Sequence, residues 1–328
     1  MKKFKGIASI FVIVLLLCGA FFSLIFFSRD SENKKVVVTT FPIYDICREI
    51  LGSDEDLLLL QDNGVDMHSF QPTAKDISAI SSSEIFIFIG GESDKWVGDI
   101  IRTANNVNLD KLSLIDHVDK LVESTDGIID AGHTHEHDHE HDEHGEECYD
   151  EHIWLSVRNI IKMAQVISEN LINVFPHMET LLRENTQNYI DKLYDLDSRY
   201  SEVCKNNKKT IVVADRFPFL YLAHDYSLSF LGAFHGCSTD SEASVSVISE
   251  IIEKVNAEEL NYICTLETSD GSIAQSVVSD SGCRDGVEIL ILNSCQTMNK
   301  NNLSNTRLLD VMEDNLSVIR KCLNNGDY

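Results

Sequence analysis

Four prolines in 328 residues leave long stretches without a helix breaker, so long uninterrupted helices are expected. Positive charge is also scarce, with 27 Lys and Arg against 53 Asp and Glu and a formal net charge of −26. That balance argues against nucleic-acid binding, which needs a basic face toward the phosphates, and suits a cation ligand. No Cys-x-x-Cys pair occurs among the nine cysteines, which speaks against a zinc site built on thiolates. The length is enough for two lobes of ordinary size, each with its own core.

The most informative segment present is HTHEHDHEHDEHGEE, where His133, His135, His137, His139, His141 and His144 alternate with acids. Imidazole binds borderline cations, and neighbouring carboxylates draw those cations in. With no apolar face, the run cannot fold by itself and reads as a solvated loop that collects metal weakly. His135 to His139 matches the HExxH pattern of zinc proteases, but that chemistry needs a packed helix and nothing here would pack one.

Lys2, Lys3 and Lys5 precede an uncharged run from Gly6 to Phe27. As a helix it would measure roughly 33 Å, enough to cross a bilayer, with the lysines cytoplasmic and the remainder outside. Cys18 offers a lipidation alternative, but Leu17 is bulky before it and the apolar run continues beyond, so an uncleaved anchor is favoured. The other eight cysteines then lie where disulfides can form, with a connectivity that spacing does not reveal.

Beyond the anchor the pattern alternates between strand and helix. Strands are expected at Lys35 to Thr40, Leu57 to Leu60, Ile85 to Ile89, Thr210 to Ala214, Tyr262 to Leu266 and Glu288 to Leu292. Helical spacing covers Ile43 to Leu51, Ile153 to Val174, Met178 to Cys204 and about Arg307 to Leu323. The fold class is α/β: two Rossmann-like lobes with mainly parallel sheets, joined by one long rigid helix, with a cleft between them. The divisions are an anchor at 1–34, a first lobe at 35–132 and 152–177, the His-rich loop at 133–151, a linking helix at 178–205 and a second lobe at 206–328.

In such sheets ligands gather at the carboxyl ends of strands. Asp215, Glu267 and Asn293 each follow a strand directly, His68 lies in a short loop after another, and His152 opens a helix just past the His-rich run. Each alone has an ordinary explanation, such as a capping role for Asp215. Together they make a candidate cation site.

The chain resembles the solute-binding proteins of bacterial zinc and manganese ABC transporters, the ZnuA/AdcA-like cluster, over nearly all of residues 35–324. FPIYD at 41–45, MHSFQPT at 67–73, GGESDKWV at 90–97, DEHIWLS at 150–156, DRFPFLYLAHDYSL at 215–228 and NTRLLDVMEDNL at 305–316 carry the resemblance. It implies His68 and His152 as the first two metal ligands. The third is usually His in zinc members and Glu in manganese members, and Asp215 stands there. The fourth comes from a motif written LDPLG or LNPLE; here LNSCQ puts the neutral Asn293 and Gln296 in place of the acids, leaving Glu267 or His235 as further candidates to complete the shell.

The resemblance implies an extracytoplasmic, membrane-tethered receptor, a monomer and not an enzyme, that delivers Zn²⁺ to an ABC permease. The His run favours zinc, with Mn²⁺ as the alternative cargo. A zinc-binding adhesin or buffering protein of the same fold is a further alternative.

Overall fold

In the computed structural model, residues 34–103, 106–129, 148–238 and 243–324 are described. The His-rich run, the N-terminal apolar segment and Cys18 lie outside them. Among the described residues no helix is long and apolar enough to cross a membrane.

Two four-stranded parallel sheets organise the chain. The first contains β1 (Val36–Val38), β2 (Leu57–Leu59), β3 (Ile85–Phe88) and β4 (Asp110–Ser113) in the order β2-β1-β3-β4. The second contains β5 (Thr210–Phe217), β6 (Ser229–His235), β7 (Tyr262–Leu266) and β8 (Glu288–Leu292) in the order β6-β5-β7-β8.

Helices cover both faces of each sheet, as the near-continuous apolar strands require. Strand periodicity divides each strand between two cores. Val36, Val38, Ile85 and Ile87 enter the main core, while Val37 and Phe86 point into a smaller cluster on the opposite face. In the second sheet Ile211, Val213, Cys264 and Leu266 face the main core, and Val212, Ala214 and Ile263 face another cluster.

The main core runs through both lobes. It includes helix α1 (Phe41–Leu51), helix α2 (Val157–Val174), the long helix α3 (Glu179–Cys204) and the C-terminal helix α4 (Leu308–Asn324). Helix α3 has 26 residues, about 39 Å, and its buried stripe Leu182, Tyr189, Leu193, Leu196 and Tyr200 recurs at helical steps. Gly52 closes α1 in the left-handed conformation at φ 71°, its N–H donating to the Arg48 carbonyl.

One polar staple explains two of the quoted motifs. Asp45 of FPIYD is buried, is ion-paired with Arg48, and accepts from the Leu308 N–H at 2.6 Å at the start of α4. Arg48 also donates to the carbonyls of Leu303 at 2.7 Å and Thr306 at 2.5 Å. The C-terminal segment is thereby tied back to the first lobe.

The structure departs from the sequence expectations in places. Strands β4 and β6 were not expected; both are edge strands. The stretch from Ile153 is a 3-10 turn, Ile153–Leu155, followed by α2, whose N-terminus is capped by the Ser156 hydroxyl accepting from Asn159 N–H. The eight described cysteines are free thiols, with the buried Cys264 and Cys322 sulfurs 3.6 Å apart.

Candidate metal centre

His68 sits in a 3-10 turn, Met67–Ser69, that Asp66 caps by accepting from the His68 N–H at 3.0 Å. His152 immediately precedes the Ile153–Leu155 turn and is fully buried. The two rings meet edge to face, with their Nε2 atoms 3.3 Å apart. Two nitrogens bound to one zinc ion at about 2.05 Å and a tetrahedral angle stand about 3.3 Å apart, so the spacing already suits a shared cation.

The opposite edge of each ring fixes its orientation. His152 Nδ1 donates to Asp150 Oδ1 at 3.1 Å. His68 Nδ1 lies 3.0 Å from Glu151 Oε1 and 2.8 Å from the Ser93 hydroxyl. Placing the ring protons on Nδ1 leaves both Nε2 lone pairs directed at one point, the carboxylate–histidine arrangement found behind metal ligands. The Gln296 amide nitrogen donates into the same point, 3.1 Å from His68 Nε2 and 2.5 Å from His152 Nε2. Turning that amide over would present its oxygen as a ligand.

Glycine makes this packing possible. A Cβ on Gly91 would come 2.4 Å from Glu151 Oε2, so only glycine lets the Ser93 turn close over that carboxylate. Glu151 accepts there from the Ser93 N–H at 2.9 Å and hydroxyl at 2.7 Å. Burial alone would raise the Glu151 carboxyl, but the hydrogen bond from and charge interaction with His68, then the interaction with His152 and the Ser93 bond, hold it at about 2. For His152, burial works against protonation, yet Asp150 and then Glu151 and Glu123 outweigh it and raise the pKa.

Among the described residues, His68, His152 and Cys237 are the His, Cys, Asp and Glu side chains whose donor atoms gather within 4.8 Å of one another. Asp215 is not one of them. It sits where the β5–β6 register shifts between Val213 and Arg216, and its carboxylate accepts from the Arg216 N–H at 2.8 Å and the Thr265 hydroxyl at 3.0 Å. Glu267 is likewise engaged, accepting from the Ser294 N–H and hydroxyl, each at 2.8 Å. Burial raises its carboxyl more than those bonds lower it.

Asn293 is used by the backbone, accepting from the Cys295 N–H at 2.9 Å. Cys295 then takes a left-handed φ of 57°, unusual for a residue with a side chain, and redirects the chain so that Gln296 enters the centre. His235 lines a small neighbouring cavity of about 20 Å³ with Glu123, Asp150 and Phe217, and its buried Nε2 has no partner among the described residues. That volume is enough for one water molecule.

The arrangement can hold a divalent cation between the lobes, and their polar links converge on it. Arg216 donates to Asp66 at 3.0 Å across the cleft, and Trp154 Nε1 donates to the Ser294 carbonyl at 2.8 Å. Both flanks of the His-rich run reach this region. Glu123 and Cys148 pair through a backbone hydrogen bond of 2.9 Å, and Gly232 of β6 pairs with the chain at Gly127 and Ile129.

A sequence model of the ZnuA family, described as zinc-uptake complex component A, periplasmic, matches residues 36–322. The chain belongs to the ZnuA family. This ZnuA-family chain is 28% identical over 304 residues to the zinc-binding protein AdcA of Streptococcus pyogenes serotype M18, covering 88% of this chain and 56% of AdcA. It therefore spans little more than half of that relative. With the high-affinity zinc uptake system protein ZnuA of Bacillus subtilis it shares 27% identity over 325 residues, 98% of each chain. In structure it is similar to the Zn(II)-bound ZnuA-like domain of Streptococcus pneumoniae AdcA, with a TM-score of 0.69 at 23% identity over 88% of this chain and 98% of that one. That likeness is one of fold.

Cys237, Asp150, Glu151 and Ser93 were not singled out from the sequence. Asp150 and Glu151 read as the tail of the acidic run, and a single cysteine carries no spacing signal. The acidic pair before His152 was the clue available, since ligand histidines need a carboxylate behind them.

Proposed function

We propose that this protein is the extracytoplasmic receptor of a zinc importer, capturing Zn²⁺ between its lobes and delivering it to a membrane permease of the ABC class. The observation that carries this reading is the pair of imidazoles with Nε2 atoms 3.3 Å apart and each Nδ1 held by a carboxylate. His68 and His152 are its primary ligands, Gln296 or water is a further one, and Glu267 supports Gln296 through the Ser294 hydroxyl. The relatives named for zinc binding and zinc uptake support zinc over manganese.

In this reading the N-terminal apolar segment, or a lipid on Cys18, tethers the receptor outside the membrane. The His133 to His144 run gathers zinc weakly and rapidly, and the approach of its flanking residues to the cleft supports a handover from it. No bond of the cargo is made or broken covalently, so the protein acts as a receptor and not as an enzyme. The HExxH match at His135 to His139 lies outside the described residues and supports no hydrolytic reading.

Elemental analysis of the purified protein after exposure to equimolar zinc and manganese tests the proposal. One tightly retained zinc per chain is expected in protein lacking residues 133–147. Retention of manganese, or of no metal, would overturn it.

A further inference from the structure

We propose that Cys237 supplies a sulfur ligand to the cation held by His68 and His152, so that the centre selects thiophilic cations such as zinc and cadmium over manganese. The proposal rests on the receptor reading and names the chemistry that makes its site selective. Cys237 follows β6 in a short turn, and its sulfur and one ring nitrogen of each histidine lie within 4.8 Å of one another. In a tetrahedral zinc site, nitrogen and sulfur ligands stand about 3.6 Å apart, so the sulfur closes in on the two histidines as the cation binds.

The turn is built for that approach. A Cβ on Gly236 would lie 2.9 Å from Pro218 Cα, 3.0 Å from the Phe217 carbonyl oxygen and 3.1 Å from His152 Cε1. Glycine alone lets this backbone press against the ring edge of His152 and carry the next residue to the centre. The thiol holds only long contacts there, donating toward Glu123 Oε1 at 3.5 Å and Glu151 Oε1 at 3.7 Å. Asp215, meanwhile, is committed to Thr265 and to its neighbour's N–H. Cys237, from the adjacent strand end, then serves as the third ligand instead of Asp215.

Coordination forms a sulfur–metal bond and releases the thiol proton to solvent, with no change of oxidation state. Thiolate and imidazole suit zinc and related cations, whereas manganese favours carboxylate, carbonyl and water oxygens. Two nitrogens and one sulfur, with the Gln296 amide oxygen or water as the fourth donor, make a set poorly matched to manganese.

Cobalt(II) loaded into the full chain under reducing conditions reads the sulfur directly, because a thiolate–cobalt bond gives a near-ultraviolet charge-transfer band that His and carboxylate ligands do not. The wild type should show the band at one equivalent. Cys237→Ser should lose it while keeping the visible cobalt bands, and zinc affinity should fall at least about tenfold with manganese affinity unchanged. Asp215→Asn should keep the band.

A band unaltered in Cys237→Ser would overturn the proposal. So would its absence from wild-type protein whose visible cobalt spectrum depends on His68 and His152, and the receptor reading would then stand without the sulfur. If neither histidine affects the cobalt spectrum, the receptor reading itself fails.

Discussion

His68 and His152 come from turns 84 residues apart in the chain, yet their Nε2 atoms stand 3.3 Å apart. The carboxylates that orient them, Asp150 and Glu151, are adjacent in sequence and together hold both rings. The short segment DEH at 150–152 thus supplies one proposed ligand and the supports of two.

Asp150 should be the more sensitive of the outer partners. Replacing it by Asn removes the acceptor charge that keeps the His152 proton on Nδ1. Zinc affinity should fall about 10- to 100-fold, as for other carboxylates that orient a metal-bound histidine. Competition with a chromophoric chelator measures this, and unchanged affinity would remove Asp150 from the design.

Gly91→Ala tests the packing of Glu151. The added methyl would overlap the Glu151 side chain, whose Cβ and Oε2 lie 2.5 Å and 2.4 Å away. Overpacking of this kind costs about 1–3 kcal/mol. Urea denaturation of the metal-free protein should show that loss, accompanied by weaker zinc binding.

Asp94 predicts a pH dependence. Burial raises its carboxyl to about 7, against the opposing Gly90 hydrogen bond and with help from the Glu151 charge, and its Oδ1 is buried without a partner among the described residues. The native state therefore holds a proton that the unfolded chain, titrating near its ordinary value of 3.8, has released. Its contribution is full below that value and is lost as pH rises through about 7. Asp94→Asn keeps the acceptor for the Ile89 and Gly90 N–H groups without the charge. Thermal melts should show the variant gaining on the wild type as pH rises from about 4 to about 7, and a constant difference would contradict the assignment.

Asp45→Ala should be the most destabilising of these changes. It leaves Arg48 buried beside Tyr44 without its counter-charge and removes the acceptor from the Leu308 N–H. Breaking a buried pair this way costs about 3–5 kcal/mol. Chemical denaturation would register it as a shift in midpoint.

Strands β1, β2, β3, β5, β7 and β8 were legible because each holds an apolar run, and α3 because its buried positions recur at helical steps. Strands β4 and β6 were not, because their composition is mixed: Asp110 and Lys111 are exposed and Ser229 opens β6 at the surface. His68 and His152 could be chosen from their places after a strand and before a helix. Asp215 was reached by the same rule, but the irregular β5–β6 pairing surrounds it with its own hydrogen-bond partners. Cys237 was invisible because what marks it is the glycine before it and a ring contributed from residue 152, a contact that only the folded chain creates.

Calorimetric zinc titration of protein lacking residues 133–147, with and without the paired substitution His68→Ala and His152→Ala, is the most direct measurement. The deletion alone should retain one tight site, and the added pair of substitutions should abolish it while the fold persists by circular dichroism. Equally tight binding in the doubly substituted protein would contradict the assignment of the centre.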